Sequence, residues 1–145
     1  MEKVKKKILV SVDGSDNSKR AILEARRHLQ MFDAQISLLT VVNPAFPDYD
    51  RFLEEKEKED VRQKKPKDHP ALAEALELLG KSAEEIPIFL KIGEPATEIL
   101  AAAEAGDYDL ILMGSRGRGN FSKAFLGSVS NKVLNHANTS VLIVK

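Results

Sequence analysis

The chain has 145 residues, the length of one ordinary domain, and its 22 Lys+Arg balance its 22 Asp+Glu with no cysteine anywhere. Balanced charge excludes the global basic excess that would draw a protein to nucleic acid or an anionic membrane, so any anion site must be local. The lack of cysteine excludes disulfides, thiolate metal centres, iron–sulfur clusters and cysteine nucleophiles together, and it fits a reducing compartment.

The first seven residues are basic, but the apolar run that follows, Ile8 to Val10 and then Val12, is too short for a signal-peptide core. No stretch reaches the roughly 20 apolar residues of a membrane span. These features predict a soluble, cytoplasmic protein of a single domain over residues 1–145, large enough to bury a core of its own.

Lys7 to Val12 is a β-branched apolar run closed by Asp13-Gly14-Ser15-Asp16, the pattern of a buried parallel strand followed by a turn. From there Ser18, Ile22, Ala25, Leu29 and Phe32 share one helical face, with Ser15 or Asp16 as the N-cap. Gln35 to Val42 predicts a second strand, ended by Asn43-Pro44 and apolar enough to be covered on both faces. The character then changes. Pro44 to Phe52 carries two prolines and the aromatics Phe46, Tyr49 and Phe52, and 12 of the 15 residues from Glu54 to Asp68 are charged. A run of that kind cannot bury a face, and the region 44–68 reads as a solvated helix extension or a mobile insertion, with the aromatics as a small satellite cluster rather than a lid or a partner surface.

Order resumes at Pro70, with Leu72, Ala75, Leu76 and Leu79 on one face and Gly80 in C-cap position. Ile86 to Ile92 predicts a third strand, and Pro87 near its start places it at a sheet edge because proline donates no ladder hydrogen bond. Gly93-Glu94-Pro95 opens a helix with Ile99, Leu100 and Ala103 inward, ended by Gly106. Tyr108 to Met113 predicts strand four. A helix bearing Val129, Val133, Leu134 and Ala137 leads into Ser140 to Lys145, strand five. Strands alternating with helices argue for an α/β fold, an open five-stranded parallel sheet with helices on both faces. Ligands of such sheets sit beyond the carboxyl ends of the strands.

One of those ends is chemically distinctive. The apolar run Leu110 to Met113 stops at Gly114; Ser115-Arg116-Gly117-Arg118-Gly119 follows, and Gly127-Ser128 opens the last helix. Glycines let main-chain N–H groups approach a ligand, a helix start carries spare N–H donors and partial positive charge, and arginines add full charge. Phosphate is the simplest occupant. The spacing is not that of a P-loop, nor of the Gly-x-Gly-x-x-Gly dinucleotide motif, which follows strand one. Strand one here ends in Asp13-Gly14-Ser15, so a mononucleotide would lie with its phosphates at the loop and its sugar or base nearer Asp13.

The spacing Gly114-x2-Gly117-x9-Gly127-Ser128, the aspartate after strand one and the final Val-Leu-Ile-Val strand closely resemble the universal stress protein family, in its nucleotide-binding branch. The resemblance covers the chain apart from about Pro44 to Asp68. It implies a Rossmann-like sheet of the adenine nucleotide alpha hydrolase type. It also implies that Gly114, Arg116 and Gly117 surround ribose and phosphates, that Gly127, Ser128 and Ser130 hold phosphate oxygens with Val129 in the same helix start, and that Asp13 contacts the nucleoside. Val41 matches the position whose main chain recognises adenine; Ser11 and Met113 match further contact positions. The implied ligand is ATP, with AMP and ADP as alternatives, accompanied by Mg2+ or Mn2+ carried on the phosphates. No protein ligand for a metal is evident.

Plainer roles stand beside these. The glycines can serve tight turns, Asp13 can cap the first helix, Ser128 and Ser130 can cap the last, and Arg118 can be solvated. His28, His69 and His136 lack partners at ligand or triad spacing and read as surface or helix-end residues. No side chain stands out as a general base, so the expected function is an ATP-binding stress-response regulator whose nucleotide biases the segment from Ser115 to Leu126. A slow ATPase and a structural dimer that binds nothing are the other readings. If strand five is outermost, nothing follows it to cover a sheet edge, and the family resemblance implies a homodimer through Val141 to Val144.

Overall fold

A computed structural model of the protein describes residues 5–45, 66–116 and 126–145. Among the described residues five strands form one sheet: β1 (Lys6–Ser11), β2 (Ala34–Val42), β3 (Ile88–Ile92), β4 (Leu110–Gly114) and β5 (Ser140–Val144). All four neighbouring pairs are parallel. The connecting helices are α1 (Asp16–Met31), α2 (Pro70–Leu79), α3 (Pro95–Ala105) and α4 (Ser128–His136), with a turn of 3-10 helix at Pro66–Asp68.

The order across the sheet is β3-β2-β1-β4-β5. From β1 the chain winds outward through β2 to β3, then crosses back to β4 and outward again to β5. Strand order therefore reverses between β1 and β4, and this switch point leaves a crevice at the carboxyl ends of those two strands. Register aligns Leu9 of β1 with Ile111 of β4 and Leu38 of β2 with Ile88 of β3. Both β3 and β5 are outer strands. For β3 the edge position agrees with Pro87, whose carbonyl still accepts from the Leu38 N–H at 2.9 Å.

Coverage on both faces explains why β1 reads as continuous apolar sequence. Ile8, Leu9 and Val10 are all fully buried, but successive side chains leave the sheet on opposite sides. Ile8 and Val10 join Leu38 and Leu112 against Ala21, Ile22 and Ala25 of α1 and Leu72 and Ala75 of α2. Leu9 joins Leu39, Ile111 and Met113 against Ile99 of α3 and Val133 of α4.

The helix termini follow their local chemistry. Ser15 caps α1, accepting the Ser18 N–H at 3.1 Å. His69 caps α2 through Nδ1, and Glu94 caps α3 by accepting from Ala96 and Thr97. Gly80 closes α2 at φ 67°, a left-handed conformation that glycine adopts without strain.

Some expected positions move. Phe32 is 57% exposed rather than inward, because α1 ends at Met31 and the chain turns extended at Phe32, so the helical period no longer places its ring. Leu134 is 46% exposed, since Val133 takes the inward position beside it. Strand β3 begins at Ile88, Ile86 being held in a turn by Ser82, and β4 begins at Leu110 because the main chain at Asp107 turns left-handed. The aromatics Phe46, Tyr49 and Phe52 and the charged run up to residue 65 lie outside the described residues.

Candidate functional site at the strand-order reversal

The crevice has two walls. The first is the turn from β1 into α1. Ser11 ends β1 half-buried, and Val12 is tied to β2 twice: its N–H donates to the Leu39 carbonyl at 2.9 Å and its carbonyl accepts from Thr40 Oγ1 at 2.7 Å. Gly14 turns the chain at φ 82°. Asp13, half-buried, accepts the Ser15 N–H on Oδ1 at 2.9 Å, and its own N–H donates to Ser18 Oγ at 3.1 Å. The aspartate at the end of β1 is thus held by a closed ring of short-range bonds. Val41, half-buried beside Thr40 on β2, lies in register with Lys91 of β3.

The second wall is the passage from β4 to α4. Met113 is buried, and Gly114 ends the strand. Ser115 is 4% exposed. Its N–H donates to the Val144 carbonyl at 2.8 Å, and its carbonyl accepts the Gly127 N–H at 2.7 Å and the Ser130 hydroxyl at 2.6 Å. The two ends of the glycine-rich segment therefore meet at Ser115. Gly127 is the N-cap of α4 and offers no side-chain cap, so the helix start keeps the donors and partial positive charge that a short polar cap would otherwise occupy. Ser128 is exposed, Val129 half-buried and Ser130 buried in the first turn. Arg116 is half-buried just after Ser115; Gly117 and Arg118 lie outside the described residues.

The walls are joined by residues that sequence reasoning passed over. Asn17, buried in the first turn of α1, donates from Nδ2 to Ser115 Oγ at 3.2 Å and accepts on Oδ1 from the Arg20 guanidinium. Arg20 Nε donates in turn to the Lys145 main-chain oxygen at 3.0 Å. Gly114 permits this approach. A Cβ there would fall 2.8 Å from the Asn17 carbonyl carbon and 2.9 Å from its Cβ, so the glycine serves close packing of α1 on β4. A signal for Asn17 did exist: it lies four residues before Ala21, on the face that α1 buries.

Beyond β3, Glu94 accepts from the Thr97 hydroxyl and from Lys132 Nζ of α4 at 3.3 Å, tying α3 to α4. The Thr97 hydroxyl, the Thr97 and Ala96 N–H groups and Lys132 outweigh the cost of partial burial and lower its pKa from 4.5 to about 2. The histidines are elsewhere: His28 and His136 lie in the last turns of α1 and α4, and His69 is a helix cap. Among the described residues no three His, Cys, Asp or Glu side chains converge as a metal ion would require.

Comparison with known proteins agrees with this architecture. The universal stress protein family model matches residues 5–145. A universal stress protein from Thermus aquaticus, from the 3′ region of the QAH/OAS sulfhydrylase, is 37% identical over 142 residues, covering 97% of this chain and 98% of its own. The structure of the universal stress protein UspA from Lactobacillus plantarum superposes with a TM-score of 0.74 at 27% identity, covering 99% of this chain and all of the other. A universal stress protein crystallised in complex with cAMP superposes with a TM-score of 0.63 at 26% identity, covering 97% of this chain and 96% of the other. With the family model spanning residues 5–145, a relative 37% identical over nearly the whole of both chains and a shared fold, the chain belongs to the universal stress protein family.

Proposed function

We propose that the protein binds ATP at the crevice between β1 and β4 and acts as a nucleotide-dependent regulator of a stress response. The observation that carries the reading is the pairing of an anchored carboxylate, Asp13, with a helix start that has no side-chain cap, Gly127, across one crevice. A helix N-terminus attracts phosphate, and a carboxylate accepts hydrogen bonds from ribose hydroxyls, so the pair sets the polarity of a bound nucleotide. The cAMP complex of a 26% identical relative supports an adenine nucleotide as the ligand class.

In this reading the exposed Ser128 hydroxyl and the N–H groups of the first turn, Ser128, Val129 and Ser130, hold phosphate oxygens with help from Arg116 and Gly117. The Gly127 N–H and the Ser130 hydroxyl, expected to join them, are instead bonded to the Ser115 carbonyl, and Gly127 only leaves room for the phosphate. Gly114 adjoins the ribose and phosphates with Arg116 and Gly117, Asp13 contacts the nucleoside, the Val41 main chain meets adenine, and Ser11 and Met113 are further contact positions. ATP brings its own Mg2+ or Mn2+ on the phosphates; no described residues supply a metal site. The nucleotide biases the segment between Ser115 and Leu126. The protein works in the cytoplasm as a homodimer through Val141 to Val144, because β5 is an outer strand whose apolar side chains remain half-buried.

The test is direct. Protein purified without added nucleotide is denatured and the released small molecules are separated by chromatography; ATP titrated into the stripped protein is followed by calorimetry. Gly127→Leu should abolish binding while the fold persists, because its side chain blocks the approach of phosphate to the main chain. Absence of both resident nucleotide and ATP binding would overturn the proposal. Following ATP over hours in the same sample decides whether hydrolysis accompanies binding.

A further inference from the structure

Two polar side chains occupy places where burial alone would favour apolar ones. Asn17 is 6% exposed on the inward face of α1, and Ser115 is 4% exposed at the end of β4. Asparagine is a poor helix former, and a buried amide is costly unless it is bonded. Both ends of this amide are bonded: Nδ2 donates to Ser115 Oγ, and Oδ1 accepts from Arg20. Ser115 also bonds Val144 through its N–H, and Gly127 and Ser130 through its carbonyl. The Asn17–Ser115 contact therefore ties α1, the end of β4, β5 and the start of α4 at one buried point.

We propose that Asn17 and Ser115 are positioning residues for the nucleotide, holding the Asp13 turn and the α4 N-terminus at a fixed separation. The inference rests on the reading of the crevice as a nucleotide site. An apolar contact between α1 and β4 would bury as much surface but would be non-directional, whereas a hydrogen bond sets distance and angle. The two walls belong to segments 98 residues apart, and Asn17 to Ser115 is a side-chain bond that joins them directly. The glycine at 114 brings the α1 main chain close enough for that bond to form. Neither side chain needs to touch the ligand; their effect passes through Asp13, four residues before Asn17, and through Gly127 and Ser130, which hang from the Ser115 carbonyl.

The experiment measures ATP affinity by calorimetry and apo-state Tm for Asn17→Ala, Ser115→Ala, the double variant and Ser115→Thr, with Gly127→Leu as reference. Each alanine variant should weaken ATP by about tenfold or more, with the double variant little worse than either single, since both remove the same bond. Ser115→Thr keeps the hydroxyl and should bind within about twofold of the native protein. Ser115→Ala retains the main-chain bonds and decides the question where Asn17→Ala does not fold. Lowered Tm with native affinity would overturn the proposal and leave the pair a structural contact. Losses that add in the double variant would overturn it equally. Native affinity in Gly127→Leu as well would instead defeat the placement of the phosphates at the start of α4, and absence of ATP binding by the native protein would defeat the nucleotide reading, so the failures are told apart.

Discussion

The Ser130 hydroxyl donates to the Ser115 carbonyl at 2.6 Å, joining the first turn of α4 to the residue that follows β4. The same hydroxyl lies 3.0 Å from the Gly127 carbonyl, so one buried side chain closes the base of the glycine-rich segment. Ser130→Ala should cost about 1 kcal/mol of stability, because the Ser115 carbonyl keeps the Gly127 N–H as a partner and no buried group is left wholly unsatisfied. Urea unfolding measures that. ATP affinity should fall in parallel, since the start of α4 is then held by one bond fewer.

Gly80 and Gly114 are both sensitive to substitution, for different reasons. Gly80 is left-handed with nothing within 4 Å of a would-be Cβ, whereas at Gly114 a Cβ would press on the Asn17 main chain. Gly80→Asn should therefore be mild, asparagine tolerating that conformation, and Gly80→Ala should cost about 1 kcal/mol. Gly114→Ala should cost about 1–3 kcal/mol by overpacking, and Gly114→Asn should cost no less. Denaturant midpoints of the four variants separate conformational strain from steric strain.

Glu94 makes stability depend on pH in a defined window. Its folded pKa of about 2 lies below its ordinary value of 4.5, so the carboxylate contributes stability that is fully present above 4.5 and is lost as pH falls toward 2. Glu94→Gln should lower stability at neutral pH, and the gap from the native protein should close across that window. The effect is modest because the side chain is half exposed. Thermal scans of both proteins over the acid range check the sign; a gap that widens toward low pH would contradict it.

The outer position of β5 predicts self-association. Sedimentation equilibrium of the native protein should return the mass of two chains. Leu142→Lys should shift the mass to one chain with the circular dichroism spectrum retained, because the charge opposes burial of the edge against a second copy.

Much of the architecture was legible along the chain. Continuous apolar runs marked strands covered on both faces, Ser15, Gly80 and Pro95 marked helix ends, Pro87 marked an outer strand, and the run from Gly114 to Ser130 marked the passage from β4 to α4. These are local signals, set by side-chain period, backbone dihedrals and capping chemistry within a few residues. Phe32 and Leu134 escaped them because a periodic pattern cannot say where a helix stops or which of two adjacent apolar residues turns inward.

What the sequence determined by itself, then, was the set of elements, the parallel class of sheet, and the glycines, arginine and aspartate proposed here to bind a nucleotide. Only the tertiary structure decided that β1 and β4 are neighbours, that Gly114 exists to admit the Asn17 main chain, and that Ser115 gathers α1, β5 and α4 at one buried point. The reason is physical. Those relations are contacts between segments as far as 98 residues apart, chosen by how the two cores pack against the sheet, and no short-range propensity encodes them.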